Sequence, residues 1–453
     1  MGAGKSTVGA IVARRLGRPF HDVDDEIEAA HGPIWDVFAE KGEPAFRELE
    51  ARFVRDALDR REPRVIAVGG GAVETRDLLR DVDALVVHLD VDVDTAWDRV
   101  QGSRRPLAQD RQEFRRRYEL RSPLHRGAAD AVARDEDGVV LAGAGVRVDV
   151  GALELLGELV PGEGPVAVVT DAHVAGIHGA AAQLALGERV TSTHEVPAGE
   201  SAKTATVAQR LWSELRLPRS GTLVALGGGS VTDVAGFVAA THLRGVDWAA
   251  VPTSLVGQVD AAIGGKTAVD LPEGKNLVGA FHWPVRTIVD PALLATLPDH
   301  ERREGLAEVV KTGLLAGEPL WELPDPELVR RCAAFKAAVC LRDPLDRSER
   351  AMLNLGHTFA HALEAAAGYD GVTHGSAVAL GLLAALRLSN RSTEVVEELL
   401  DPRPARVDRA RAWEALGRDK KRGLVLLGDD GPCWDVRLPD DEVRGALDQL
   451  IAD

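Results

Sequence analysis

Short apolar runs alternate with longer polar stretches in the first third of the chain. A helical stretch ends at about Leu16, and apolar runs follow at Val65–Val68 and Leu85–Leu89. Short apolar runs separated by helix-length charged stretches are typical of an α/β unit. The arginine-rich stretch Arg99–Arg126 closes this unit, and Asp135–Gly138 is the best candidate linker after it.

The α/β pattern then restarts and later gives way to helices. Strand-like runs lie at Val166–Thr170, Leu223–Leu226, Trp248–Val251 and Thr287–Val289. After Pro298 longer helical patterns take over, and strand signals nearly vanish until Val425–Leu427. We therefore predict an α/β protein of three domains. They are an α/β domain over residues 1–135, a Rossmann-like α/β domain over 136–293 and a mostly helical domain over 294–453.

Composition narrows the class of protein. Hydrophobic residues make up 45% of the 453 positions, which suffices for folded cores. The net charge of -17 argues against nucleic acid or an acidic membrane as a partner. Cys332, Cys340 and Cys433 have neither disulfide nor metal-site spacing, and no apolar run is long enough to span a membrane. We expect a soluble, cytoplasmic protein.

The N-terminus carries the second half of a phosphate-binding loop, Gly2-Ala3-Gly4-Lys5-Ser6-Thr7. In such loops backbone N–H groups wrap the β-phosphate, the lysine reaches the β- and γ-phosphates, and the hydroxyl binds Mg²⁺. The earlier glycine and the buried strand of the full motif do not precede this run. Because that strand lies at the centre of a P-loop sheet, we expect two neighbouring strand edges to be exposed without it.

Charged and glycine-rich positions farther along suit a phosphoryl transfer. Asp22-Val23-Asp24 can hold Mg²⁺ through water and grip a hydroxyl, or it can simply cap a helix. Phe46-Arg47 and the turn Gly69–Gly71 suit an anionic substrate. The run Arg104-Arg105-Pro106-Leu107 looks like a mobile cover that places a cation over the transferring group.

Taken in order, these features resemble shikimate kinase over about residues 1–135. The resemblance implies Mg²⁺ and ATP as cofactor and substrate, with Arg105 as the lid arginine. It assigns nucleotide binding to Gly2, Gly4, Lys5, Ser6 and Thr7, and Mg²⁺ to Ser6 and, through water, Asp22. It assigns shikimate binding to Asp24, Arg47, Gly69, Gly70, Gly71 and Arg121.

Members of that family often carry a methionine directly before the glycine-rich loop. Met1 is therefore interpreted as an internal methionine taken as the start, and the hypothesis is that the true reading frame begins upstream. An intact mass of 48.3 kDa for the native protein would contradict it.

A second glycine turn, Gly227–Gly229, follows an apolar strand and precedes a helix. A helix N-terminus that backbone can approach closely suits a dinucleotide pyrophosphate, although this is not the G-x-G-x-x-G fingerprint. Downstream, Lys266, Lys275 and Asn276 lie on glycine-rich loops. Such an ordered set suggests a site for a substrate with phosphate and carboxylate groups.

Candidate metal ligands lie still farther along. The runs Ala307–Lys311 and Leu353–His361 are followed by His374. His357 and His361 are four apart, so on a helix they share one face. Glu308, His357 and His374 offer a mixed oxygen and nitrogen set that suits a catalytic divalent metal with an open position.

These motifs closely resemble 3-dehydroquinate synthase over about residues 140–453. The resemblance implies Zn²⁺, or Co²⁺, held by Glu308, His357 and His374. It implies that NAD contacts Asp171, Glu200, Lys203, Gly228, Gly229, Asp233, Thr253 and Ser254. Substrate contacts are assigned to Asp260, Lys266, Lys275, Asn276, Lys311, Lys336, Arg350, Asn354, His361 and Lys420, of which Lys266, Lys311 and His361 are catalytic. Arg244 would reach a neighbouring subunit's active site, which implies a homodimer.

The expected function is bifunctional. One activity converts the sugar acid phosphate DAHP to 3-dehydroquinate and phosphate, and the other phosphorylates shikimate with ATP. Three alternatives stay open: a synthase with a non-catalytic kinase-like docking domain, a related sugar-phosphate cyclase, and a metal-dependent polyol dehydrogenase. Arg350, Asn354 and the Gly274-Lys275-Asn276 run favour the synthase over the last two.

Overall fold

The computed structural model describes residues 2–102, 107, 109–368, 371–419 and 423–452. It forms two compact units, Met1–Ala144 and Gly145–Asp453. The segment Asp135–Gly138 begins a helix rather than forming the predicted linker, because the Asp135 carboxylate accepts a hydrogen bond from the Gly138 N–H at 2.9 Å. The bounds of the three domains named above stay predictions.

The first unit has six α-helices, one 3₁₀ helix at Ala72–Glu74 and four strands among its described residues. The helices are α1 Lys5–Arg15, α2 Val23–His31, α3 Ile34–Leu58, α4 Val93–Asp98, α5 Arg111–Ala128 and α6 Glu136–Gly143. The strands are β1 Phe20–Asp22, β2 Val65–Ala67, β3 Val87–Leu89 and β4 Ala131–Ala133. β1 pairs with β2 and β3 with β4, both in parallel. Within the described part of the unit, no ladder joins the two pairs.

The long helix α3 is two helices with a break between them. Gly42 has φ 78° and ψ 169°, and Pro44 follows it. Glycine tolerates this backbone, and proline has no N–H to continue the helical ladder. The second half of α3 therefore takes a new direction, and it carries Arg47 and Glu50. Its apolar residues Phe46 and Val54 pack with Ile27 of α2 in the unit's core.

The second unit is larger, and the following lists give its described elements. The strands are β5 Val146–Val148, β6 Val166–Asp171, β7 Val190–Val196, β8 Thr222–Gly227, β9 Asp247–Pro252, β10 Lys266–Leu271, β11 Gly274–Phe281, β12 Arg286–Val289, β13 Leu424–Gly428 and β14 Gly431–Val436. The helices are α7 Leu156–Leu159, α8 Ala172–Val174, α9 Ala180–Leu186, α10 Ala205–Glu214, α11 Gly229–Thr241, α12 Asp299–Ala316, α13 Asp325–Arg342, α14 His357–Ala366, α15 His374–Leu388, α16 Glu394–Leu400, α17 Arg409–Asp419 and α18 Asp440–Asp448.

Six parallel strands form the main sheet, in the order β5-β12-β9-β8-β6-β7. Every residue of β6 and β8 is buried, as expected of strands with both faces covered. The chain leaves β6 to form β7 on one side and then returns to form β8 on the other. The carboxyl ends of β6 and β8 therefore flank a topological switch point, where open α/β sheets bind ligands.

The helical half has its own core, centred on α12, α14 and α15. Leu355, Leu363, Val378 and Leu382 are fully buried there. The hairpin β10–β11 is antiparallel and has an irregular register after Val269. These findings confirm the predicted α/β architecture with a helical half. In the described parts of the chain, no helix combines the length and the apolar character needed to cross a membrane.

Candidate active sites

Three buried or half-buried side chains converge from three helices of the second unit. Glu308 lies on α12, His357 begins α14 and His374 begins α15. Glu308 Oε1 lies 3.3 Å from His357 Nε2 and 3.2 Å from His374 Nε2. One ligand atom from each residue lies within 4.8 Å of the others, so a single metal ion can be bound between them. One carboxylate and two imidazoles are a donor set typical of catalytic zinc with an open position.

The other nitrogen of each histidine has a partner that orients the ring. His357 Nδ1 lies 3.2 Å from the Leu355 carbonyl oxygen, and His374 Nδ1 lies 3.5 Å from Glu364 Oε1. A proton on Nδ1 leaves the Nε2 lone pair for a metal, which is the usual arrangement around metal-binding histidine. The donor set and its orientation therefore fit a divalent metal.

Electrostatics keep the Glu308 carboxylate ionised. Burial by itself raises the pKa of Glu308, but Lys311 and His357 outweigh it and hold that pKa well below its ordinary value. Lys311 contacts Glu308 Oε2, and its Nζ lies 3.8 Å from Asp260 Oδ1. Burial lowers the pKa of Lys311, whereas Asp260 and Glu308 raise it, and the net pKa is above the ordinary value. A buried cation therefore lies directly beside the metal site.

Asp260 also forms an ion pair with a second cation, Lys336. Lys336 Nζ lies 2.7 Å from Asp260 Oδ1 and donates a hydrogen bond to the Asp260 carbonyl oxygen at 2.7 Å. Burial raises the pKa of Asp260, but Lys311 and Lys336 lower it below its ordinary value. Asp260, Lys311 and Lys336 thus form one buried ionic cluster with Glu308. Four of the predicted residues are brought together in it.

The predicted nucleotide-binding residues lie around the switch point. Asp171 ends β6, and its Oδ1 accepts hydrogen bonds from the backbone N–H groups of His173 and Val174. Gly228 follows β8 and is the N-cap residue of the thirteen-residue helix α11. A Cβ on Gly228 would lie 3.4 Å from Ser254 Oγ, and one on Gly229 would lie 3.1 Å from Ala261 Cβ. This tightly packed turn at a helix N-terminus fits a dinucleotide.

Lys203 links this crevice to the hairpin. It is 4% exposed, and its Nζ lies 2.9 Å from Asp233 Oδ2 on α11 and 2.7 Å from Asn276 Oδ1 on β11. Burial lowers its pKa, but Asp233 and Glu200 raise the pKa above its ordinary value. Thr253 lies at the same end of the sheet, since its N–H donates a hydrogen bond to the Gly227 carbonyl oxygen at 3.0 Å.

Lys266 is the first residue of β10, and Arg350 lies in the 3₁₀ helix Glu349–Asn354. Gly264 has φ 96°, and a Cβ on it would lie 2.6 Å from Arg350 Nη2. Glycine is required there both for the backbone and for the space that the guanidinium fills. Lys266 Nζ lies 2.7 Å from Asp346 Oδ2. Burial lowers the pKa of Lys266 below its ordinary value, although the Asp346 carboxylate raises it.

In the first unit, the glycine-rich loop precedes α1. Gly2 and Gly4 have φ 71° and 83°, and a Cβ on Gly2 would lie 2.2 Å from the Ala96 carbonyl oxygen. Lys5 is the first residue of α1. Asp22 caps α2, because its Oδ1 accepts a hydrogen bond from the Asp24 N–H at 3.0 Å. The capping interpretation of Asp22 is thus confirmed, and its role with Mg²⁺ stays a prediction.

The predicted shikimate-binding arginines come together with three glutamates. Arg47 Nη1 lies 2.6 Å from Glu50 Oε2, and Arg47 Nη2 lies 3.0 Å from Glu43 Oε1. Arg121 Nη2 lies 2.7 Å from Glu74 Oε2, which is also 3.8 Å from Arg47 Nη2. Two guanidinium groups therefore meet at one carboxylate oxygen, an arrangement suited to a substrate carboxylate.

The glycines of the turn lie against the same cluster. A Cβ on Gly71 would lie 2.2 Å from Arg47 Cζ, and one on Gly69 would lie 3.1 Å from Asp24 Oδ1. The carbonyl oxygen of Gly70 lies 2.9 Å from His125 Nε2. The structure thus brings Asp24, Arg47, Arg121 and the turn together.

Comparisons with known proteins show which families the two parts of the chain match. The 3-dehydroquinate synthase N-terminal model matches residues 193–304, and the C-terminal model matches residues 305–403. A 3-dehydroquinate synthase of Enterococcus faecalis (strain ATCC 700802 / V583) is 37% identical over 341 residues, which are 67% of this chain and 95% of the relative. This chain belongs to the 3-dehydroquinate synthase family. The 3-dehydroquinate synthase of Symbiobacterium thermophilum is 42% identical over 287 residues, which are 59% of this chain and 79% of that relative.

The kinase region also has its own match. The shikimate kinase model matches residues 1–142. The chain is therefore an enzyme that joins a shikimate kinase domain to a 3-dehydroquinate synthase. Among solved structures, a 2-epi-5-epi-valiolone synthase of Streptomyces hygroscopicus subsp. jinggangensis with NAD⁺ and Zn²⁺ bound is 25% identical. The match has a TM-score of 0.60 and covers 67% of this chain and 96% of the valiolone synthase chain.

The remaining predicted residues lie as follows. Arg105 and Lys420 lie outside the described residues. His361 lies one turn after His357, with ring centroids 5.6 Å apart. Asn354 ends the short 3₁₀ helix before α14. Arg244 is exposed, and both it and Leu243 have left-handed backbone.

The synthase site also uses acidic residues that sequence reasoning missed. Asp343 accepts hydrogen bonds from the backbone N–H groups of Arg347, Ser348 and Arg350, so it shapes the loop that carries the Arg350 guanidinium. Asp346 holds Lys266, and Glu364 lies between His374 and Lys275. Asp343 follows the end of α13, and such a position favours capping, but no local pattern indicated the other two.

Proposed function

We propose that residues 145–453 convert DAHP to 3-dehydroquinate and inorganic phosphate with catalytic NAD⁺ and a divalent metal, Zn²⁺ or Co²⁺. The observation that carries this proposal is the convergence of Glu308, His357 and His374 beside the buried Lys311. The family membership supports the reaction. The NAD⁺ and Zn²⁺ in the related valiolone synthase structure support the same pair of cofactors here.

The chain's own residues bind and orient an anionic substrate. When bound, NAD⁺ supplies reversible hydride acceptance at C5 of the substrate, and the metal polarises the C5 oxygen as a Lewis acid. Lys266, Lys275 and Arg350 provide cations for the carboxylate and phosphate groups. His361 binds the phosphate or relays a proton to it.

The paired carboxylates keep this cationic site organised before substrate arrives. Asp346 holds Lys266 at 2.7 Å, Glu364 holds Lys275 at 3.3 Å, and Asp260 holds Lys336 at 2.7 Å. Side chains fixed by ion pairs lose less conformational entropy when a substrate binds. We infer that Asp260, Asn276, Lys336, Asn354 and Lys420 complete the substrate site.

We propose a second activity, the ATP-dependent phosphorylation of shikimate by the first unit. Gly2, Gly4, Lys5, Ser6 and Thr7 would bind ATP, with Mg²⁺ held by Ser6 and Asp22. The meeting of Arg47 and Arg121 at Glu74 supports a site for the shikimate carboxylate. Asp24 beside the Gly69–Gly71 turn supports a site for a ring hydroxyl.

We further propose a cytoplasmic homodimer formed through the synthase region. Leu243 is 48% exposed beside Arg244, and both residues have positive φ. On β11, Leu277 and Phe281 are 58% and 45% exposed. Strained backbone and exposed apolar side chains of this kind are typical of surfaces that meet a partner. We infer, as the family resemblance implies, that Arg244 reaches the active site of the second copy.

One preparation tests both activities. Phosphate release from DAHP is measured with Zn²⁺ and NAD⁺, and shikimate-dependent ADP release with Mg²⁺ and ATP. Both signals are expected. Phosphate release without ADP release would favour the docking-domain alternative for the first unit. Loss of phosphate release in folded, metal-loaded protein would contradict the synthase proposal. Light scattering at the same concentration tests the homodimer.

A further inference from the structure

Glu364 of α14 contacts two functional groups at once. It is 3% exposed, and its Oε1 lies 3.5 Å from Nδ1 of His374 and 3.3 Å from Nζ of Lys275. His374 is a predicted metal ligand, and Lys275 is a predicted substrate residue on β11. One buried carboxylate oxygen therefore joins the metal centre to the β10–β11 hairpin. A buried carboxylate needs such partners to remain charged.

The contact belongs to a longer chain of alternating charges. Lys275 Nζ also lies 3.5 Å from Glu200 Oε1, and Glu200 Oε2 lies 3.7 Å from Lys203 Nζ. Lys203 in turn lies 2.9 Å from Asp233 in the first turns of α11. The series runs from the metal ligands to the helix that begins the nucleotide crevice. In this series, Glu364 links the helical half to the hairpin.

We propose that Glu364 is a positioning residue that sets metal affinity and fixes the β10–β11 hairpin through the same carboxylate. This inference rests on the proposed metal site. Toward the metal, Glu364 accepts the Nδ1 proton of His374 and so keeps Nε2 free as a ligand. Toward the substrate, it holds the Lys275 ammonium group and with it the backbone of β11.

A merely structural Glu364 would behave differently. If its buried side chain served packing alone, an isosteric amide would preserve both functions, since Gln has the same size. If the carboxylate acts as proposed, the neutral amide loses the charge that holds Lys275, and it can donate toward His374 instead of accepting. Outer partners of metal-binding histidines typically change metal affinity by about 10- to 100-fold.

The test compares Glu364→Gln, Glu364→Asp and Glu200→Gln with the wild type in the full chain. The Zn²⁺ dissociation constant is measured by competition with a chromophoric chelator, and the Co²⁺ absorption spectrum reports ligand geometry. Hydrogen exchange over residues 274–281 reports the hairpin. We expect Glu364→Gln to weaken Zn²⁺ binding by about 10-fold or more, to change the Co²⁺ spectrum and to speed hairpin exchange. Glu364→Asp should recover part of each loss.

Glu200→Gln is the matched control, because Glu200 contacts Lys275 but has no described contact with a metal ligand. It should speed hairpin exchange and leave the Zn²⁺ dissociation constant within about twofold of wild type. Wild-type metal affinity and spectrum in Glu364→Gln would overturn the inference while leaving the metal site intact. If the wild type binds no Zn²⁺, the metal site itself fails. In that case, unchanged hydrogen exchange of residues 274–281 in Glu364→Gln would overturn the proposed role of Glu364 in fixing the hairpin.

Discussion

Both units contain glycine-rich turns, but the strands of the two units differ in how many partner strands they have. In the synthase unit, β8 precedes Gly228, lies between β6 and β9, and is buried along its whole length. In the kinase unit, β2 and β3 are three residues long, and each pairs with one described strand. A strand with partners on both edges has its backbone groups satisfied, whereas an edge strand leaves one row unpaired.

The difference extends to the side chains. The synthase cations lie on or beside helices of a well-packed half, where Lys311 is 1% exposed. The kinase arginines face Glu43 and Glu74, whose side chains are 33% and 41% exposed. Exposed ion pairs contribute little to stability, and buried ones cost much when one partner is lost. The synthase pair Lys311–Glu308 is thus fully buried, whereas the kinase arginines pair both with the buried Glu50 and with the more exposed Glu43 and Glu74.

Removing a metal ligand should give the largest difference between the units. His374→Ala should lower phosphate release from DAHP by about 1,000-fold, because Lewis-acid stabilisation is worth several kcal/mol. The side chain of His374 is 37% exposed, so the fold should tolerate its loss better than that of Glu308. Stopped assays of both activities make the measurement, with bound zinc counted by mass spectrometry. ADP release should not change, and an equal fall in both activities would contradict independent sites.

The reciprocal variant is Lys5→Met. It should lower shikimate-dependent ADP release by about 100- to 1,000-fold, because one cation that stabilises transferring phosphate charge is removed. Phosphate release from DAHP is the internal control and should stay at the wild-type rate. Full ADP release in Lys5→Met would show that the glycine-rich loop is not where ATP reacts.

The architecture was predictable where one pattern covered a whole element. The strands β6, β8, β9 and β12 were found because each is a continuous apolar run in a sheet covered on both faces. For the segment that forms β11 the sequence predicts a glycine-rich loop, since Gly274 and Gly279 obscure its pairing with β10. Long-range pairing of this kind is set by tertiary context, which local propensity does not contain.

The convergence of Glu308, His357 and His374 could be expected from the sequence, and the acidic residues around them could not. His357, His361 and His374 stand in ordered motifs, and ligand chemistry alone limits which residue types can hold zinc. Asp346 and Glu364 are ordinary acidic residues in the sequence. Their roles depend on which cation the fold brings within 3.5 Å. The distant partner therefore has to be seen before such a role can be assigned.

A glycine pair inside the synthase unit should show how tightly its site is packed. Gly264→Ala should lower the free energy of unfolding by about 2–3 kcal/mol. The backbone at residue 264 has φ 96°, which strains alanine, and the added Cβ would lie 2.5 Å from Cys340 Sγ. Gly176→Ala is the control, since its Cβ would meet nothing within 4 Å. That variant should be neutral or stabilise the unit by up to about 1 kcal/mol. Denaturant titration measures both, and equal stabilities would contradict the close packing of Arg350 over Gly264.

The smallest expected effect is a dependence of kinase-unit stability on pH. His88 and His125 lie with ring centroids 5.2 Å apart, and His125 bonds the Gly70 carbonyl oxygen. Burial lowers the pKa of both histidines below 6.5. Asp90 partly offsets this for the pKa of His88, and the charge of Lys5 lowers both pKa values further. The unfolded chain therefore takes up protons first as the pH falls.

The sign follows from that order. Above pH 6.5 His88 and His125 are neutral in both the folded and the unfolded chain, so their stabilising contribution is fully present. It is lost as the pH falls from 6.5 through the lower pKa values that the two histidines have in the folded state. Hydrogen exchange over residues 111–133 should thus speed up between pH 7.5 and 5.5, after correction for the intrinsic rate. His88→Phe keeps a ring beside His125 and removes one titrating group, so its pH dependence should be shallower. An unchanged slope would show that these rings do not set the acid sensitivity of the kinase unit.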